Sequence, residues 1–118
     1  MMAGAVLRVR KLPENPLDAA AYFYADVLPG IRADFAELDE LDLIIVFDPA
    51  GYEHRAWRLA AVQQLARDYA PSRVNALASD DESAIAAAVR YLEKAPGVTG
   101  QYLPLDGNGA EELLSPDT

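Results

Sequence analysis

Apolar and polar positions along the chain follow two alternating rhythms, one short and continuous, the other long and helical. Ala5-Val-Leu-Arg-Val-Arg10 is a short apolar run that predicts a strand. The loop Leu12-Pro-Glu-Asn-Pro16 follows, and an apolar stretch from Leu17 to Leu28 then predicts a helix that Pro29-Gly30 interrupts. Ile31 to Leu38 adds one or two helical turns. Leu41-Asp-Leu-Ile-Ile-Val-Phe47 is nearly continuous in apolar residues, which predicts a strand covered on both faces. A second helix is expected from Tyr52 to Tyr69, ending before Pro71, and a third strand at Arg73–Ala78. Ser79 and Glu82 have the spacing of a capping box for a third helix, which Ala95-Pro-Gly97 closes. Val98–Leu105 is the fourth strand, Asp106-Gly-Asn-Gly109 a turn, and residues 110–118 a polar, flexible tail.

The resulting β-α-β-α-β-α-β pattern with short connections implies an α/β domain: a four-stranded parallel sheet, order 1-2-3-4, with three flanking helices. All 118 residues fit one domain, with an ordered core at about 5–109. Ligands of such sheets sit beyond the carboxyl ends of the strands. Those ends carry Lys11, Asp48, Ser79 and Asp106.

Composition narrows the function classes. Hydrophobic residues make up 52% and charged residues 25%, as in an ordinary globular domain. Ten basic side chains against nineteen acidic ones give a net charge of -9. That balance argues against nucleic acid and anionic membrane surfaces as partners. Without cysteine, disulfides, thiolate zinc sites and thiol nucleophiles are excluded. Met1 to Arg10 lacks a signal-peptide pattern, and no stretch nears the roughly 20 apolar residues of a membrane helix. A cytoplasmic location is expected.

Two motifs in the second half carry a family resemblance. Leu65-Ala-Arg-Asp-Tyr-Ala-Pro71 followed by Arg73-Val-Asn-Ala-Leu-Ala78 resembles the run LA.EYAP..IRVNAIAPG of the short-chain dehydrogenase/reductase family. Val98-Thr-Gly-Gln-Tyr-Leu-Pro-Leu-Asp-Gly107 resembles its closing VTGQVLPVDGG. Upstream, Val27-Leu-Pro-Gly-Ile-Arg32 is similar to VLPHMR, and Leu43-Ile-Ile-Val-Phe-Asp-Pro-Ala-Gly51 to GRIVNISSVAG. The resemblance implies a Rossmann-like fold. It also implies what is missing. The family's TGxxxGxG turn, which lets backbone approach the cofactor pyrophosphate, has no counterpart, so no NAD(P) cofactor is expected. The family's catalytic Ser falls on Asp48. Its Tyr and Lys, counted back from Leu65-Ala66, fall on Gly51 and Arg55. Tyr52 lies one residue off, a rotation of about 100° on a helix. Arginine also lacks the tunable amine that lowers the tyrosine pKa. Ser79-Asp80 replaces the family's Pro-Gly, and the substrate-covering loop after it is gone.

Asp48, Tyr52, His54 and Arg55 could form a small polar site past the second strand. The same residues also suit a solvated first helical turn. His54 is the single histidine and has no obvious co-ligands, so no metal is expected. Asp80-Asp81-Glu82 suits the positive end of a helix dipole. Tyr22-Phe23-Tyr24, amid alanines, reads as core or interface.

Helix 17–28 is apolar nearly all round. Helix 52–69 carries one stripe of Trp57, Ala61 and Leu65 and another of Leu59, Val62, Ala66 and Tyr69. One stripe covers the sheet, and the other predicts a homodimer through these two helices, with Val62 facing outward. In the family resembled, the same helices build a subunit interface. Three functional readings stay open: a non-catalytic, homo-oligomeric binding or regulatory domain; a small nucleotide-binding or oxidoreductase-like enzyme using Asp48, Tyr52, His54 and Arg55; and a subunit completed by another polypeptide.

Overall fold

The structure, a computed structural model, describes residues 3–38 and 41–105. The 106–109 turn and the 110–118 tail expected above lie outside the described residues. Strands β1 (Ala3–Val9), β2 (Leu41–Phe47), β3 (Val74–Ala78) and β4 (Tyr102–Pro104) form one parallel sheet in the order β1-β2-β3-β4. Each pair is parallel, with Val9 level with Phe47 and Phe47 level with Ala78. Three helical connections join the strands: α1 (Pro16–Tyr22) running on into α2 (Leu28–Glu37), then α3 (Arg55–Asp68), then α4 (Glu82–Glu93).

The continuous apolar run of β2 is explained by its two covered faces. Leu43, Ile45 and Phe47 pack with Phe23, just after α1, and with Ile31, Val62 and Leu65 of α2 and α3. Ile44 and Val46 point the other way, onto Ile85, Ala88 and Leu92 of α4. Phe23 is fully buried, 5.8 Å from the Phe47 ring and 5.6 Å from Trp57. Burial of one such side chain contributes about 2–3 kcal/mol.

Four expectations need correction. Pro29-Gly30 does not interrupt the helix. A π-helical turn at Phe23–Val27 lies between α1 and α2, and Leu28 N–H donates to Phe23 O, five residues back. This wider turn accommodates the proline, which has no N–H to give and would crowd the preceding turn of a regular helix. The cap of α4 is Asp81, whose side chain accepts from Ser83 N and Ala84 N. Ser79 Oγ instead accepts from Asp81 N at 3.0 Å.

The fourth strand is shorter than Val98–Leu105. Gly100 takes φ +74°, a left-handed turn that ends any extended run before it. Side chains supplement the backbone bonds there: Gly100 N donates to Val74 O, while Val74 N donates to Thr99 Oγ1 and Asn75 binds Val98 O and Gln101 N.

Val62, finally, does not face outward: it is 0% exposed. Both stripes of α3 are buried or half-buried within one chain, and at its C-terminal end Phe35 of α2 lies flat on Tyr69, ring centroids 4.0 Å apart. What α1 and the π turn after it leave in solvent includes Leu17, 81% exposed, with Ala21, Tyr22 and Tyr24. On α3 the exposed stripe is Ala56, Ala60, Gln63 and Arg67.

Candidate functional site

The chain leaves β1 through Lys11, which sits at φ 61°, a conformation that costs a non-glycine residue about 1–2 kcal/mol. Its N–H donates to Asp48 Oδ2 at 3.1 Å, so the carboxylate at the end of β2 holds the turn after β1. Asn15 then caps α1, its side chain accepting from Leu17 N and Asp18 N. Between these loops and the start of α3 lies a hollow of about 420 Å³, whose polar lining is Lys11, Glu14, Asp48, Glu53, His54 and Arg58. Val9 and Leu12 add apolar wall. The position, at the carboxyl ends of parallel strands, is the one the topology favours for ligands.

The structure brings Asp48 and His54 to this hollow. Tyr52 and Arg55 are not among its lining residues, and Tyr52 is 85% exposed. His54 is 5% exposed with both ring nitrogens engaged. Trp57 Nε1–H, a donor only, donates to Nδ1 at 3.1 Å. That assigns the proton to Nε2, which donates to Glu14 O at 2.8 Å. The imidazole thus ties the loop before α1 to the first turn of α3.

Arg58 is the residue that sequence reasoning missed. It is 2% exposed. Its Nη1 donates to Asp48 O at 3.0 Å and to Tyr102 Oη at 3.1 Å. The guanidinium carbon lies 4.5 Å from the Phe47 ring centroid and 5.7 Å from that of Trp57. A signal was there: stepping back from Leu65 through Val62 and Ala61 at helical spacing lands on position 58, inside the buried stripe.

A second hollow, about 300 Å³, lies on the α4 side between Arg8, Arg10, Asp48, Ser79, Asp80 and Glu82. Arg8 clasps Glu82 with both nitrogens, at 2.7 and 2.9 Å. That contact holds the Glu82 carboxyl below its ordinary value. Asp81 is lowered by its bonds to the Ser83 hydroxyl and to the Ser83 and Ala84 N–H groups. Among the described residues no group of three or more His, Asp or Glu is placed to hold a metal ion. Nor is any helix there long and apolar enough to cross a membrane.

Compared with known sequences, residues 7–105 match the family described as short chain dehydrogenase-like protein. No curated protein and no solved structure matches the chain.

Proposed function

The chain belongs to the short chain dehydrogenase-like family, and from that premise we propose that it is a non-catalytic, homo-oligomeric member, a cytoplasmic binding or regulatory domain. The observation that carries this reading is the make-up of the catalytic positions. Asp48 stands for the serine, Gly51 for the tyrosine and Arg55 for the lysine, so the family's tyrosine acid and its lysine have no like residue at those positions. His54, the remaining acid–base candidate there, has both nitrogens in structural bonds.

Homo-oligomerisation is supported by the apolar and small residues that α1, the π turn after it and α3 leave in solvent, Leu17, Ala21, Tyr24, Ala56 and Ala60. A twofold pairing would cover each stripe with its own copy. Turnover assays with NADH or NADPH and a panel of aldehydes and ketones test the catalytic half. No turnover above background is expected in the wild type or in Tyr52→Phe. Carbonyl reduction that Tyr52→Phe abolishes would overturn the reading and favour the enzyme alternative.

A second reading, a subunit completed by another polypeptide, is favoured by one feature. Among the described residues β1 is an edge strand, with Val6 45% exposed. Hollows flank it on both sheet faces, one lined by Gly4, Val6 and Ile44, the other by Leu7, Tyr22 and Ile31.

A further inference from the structure

Arg58 is a buried cation that no carboxylate among the described residues contacts as an ion pair. Both acceptors of its Nη1, Asp48 O and Tyr102 Oη, are neutral groups. The ion pairs among the described residues are Arg8–Glu82 and Arg73–Asp42, and neither involves it. Its Nε is buried without any acceptor. The rings of Phe47 and Trp57 favour a cation but supply no counter-charge. Arginine cannot escape by losing its proton. A buried, unpaired charge is strongly unfavourable, so an anion arriving from outside would gain a partner already in place.

We propose that the hollow at the ends of β1 and β2 binds a small monocarboxylic acid, with Arg58 pairing the carboxylate. It rests on the reading of this chain as a binding domain and names the ligand class. The planar guanidinium matches a planar carboxylate. Glu14, Asp48 and Glu53 also line the hollow, and their charges oppose a dianion such as phosphate more than a single carboxylate. Val9 and Leu12 give a short apolar body a wall to lie on. A space of about 420 Å³ suits a small molecule.

Trp57, the single tryptophan and a neighbour of Arg58, reports on the site. The full chain is titrated with sodium butyrate, sodium phosphate and sodium chloride at equal ionic strength, following Trp57 fluorescence and melting temperature. Butyrate should change the fluorescence saturably and raise the melting temperature as its concentration rises. Phosphate should behave as chloride does.

Arg58→Met should lose both butyrate responses, and Arg58→Lys should weaken them. If Arg58→Met does not fold, the wild-type titration and Arg58→Lys decide. A wild type that responds to butyrate no more than to chloride overturns the site. So does a butyrate response that Arg58→Met or Arg58→Lys keeps at full strength, or one that phosphate equals. Failure here leaves the non-catalytic reading standing, since that reading fails on carbonyl turnover or cofactor binding instead.

Discussion

Arg73 joins three elements through one side chain. Its Nε and Nη2 reach Asp42 Oδ2 at 3.1 and 2.9 Å, and its N–H reaches Asp42 Oδ1 at 2.8 Å. Its Nη1 donates to Leu92 O and Ala95 O, closing the end of α4. Both partners are largely buried, with side chains 18% and 15% exposed. Removing one partner of such a pair leaves the other uncompensated. Arg73→Met is therefore expected to lose about 2–4 kcal/mol in urea unfolding. A loss below about 0.5 kcal/mol, the scale of an ordinary surface change, would show that the pair holds little. The sequence displayed Asp42 as a lone charge in an apolar strand. It could not show the partner, which lies 31 positions away and is brought near only by the sheet. Arg58 is the opposite case. Its helical phase marked it as buried, but arginine is so often solvated that phase alone was a weak sign.

At the scale of elements, strands and crossovers were legible because each is specified locally. β2 needs both faces covered, and its apolar run said so. Less legible were features decided by backbone detail: the π turn that carries α1 past Pro29, the left-handed Gly100 that shortens β4, and the choice of Asp81 over Ser79 as cap. Ser79 and Asp81 both suit a cap chemically, and two residues of register separate them.

The Asp81 cap and the Arg8–Glu82 clasp also predict a pH dependence. Both carboxyls are held below their ordinary values, 3.8 and 4.5, so the folded state binds fewer protons than the unfolded one. Their contribution is present above those ordinary values and is lost as pH falls through the lower folded ones. Both groups are exposed, so solvent and salt weaken the effect. Melting temperature should fall on acidification from pH 5, and the fall should be shallower in the double variant Asp81→Ala, Glu82→Gln. An equally steep fall in that variant would place the acid sensitivity elsewhere.

For the whole molecule, the sequence led to the right sheet and the wrong outward face. Val62 sits in the core cluster with Leu43, Ile45 and Phe47 of the sheet, so Val62→Glu would bury an unpaired carboxylate and lower stability by about 3 kcal/mol or more. It reports on folding, not on assembly. Leu17 is the informative position. Leu17→Glu should change the stability of a single chain by no more than about 0.5 kcal/mol. Light scattering should find a dimeric wild type and a monomeric Leu17→Glu. A monomeric wild type, or a variant that stays dimeric, would remove α1 from the interface.

We propose that this chain keeps the dehydrogenase scaffold without its cofactor chemistry. Calorimetric titration of the full chain with NADH and NADPH tests it most directly. Without a glycine turn to bring backbone N–H groups to the pyrophosphate, dissociation constants should be no tighter than about 1 mM. A micromolar constant for either nucleotide, about 4 kcal/mol stronger, would contradict it.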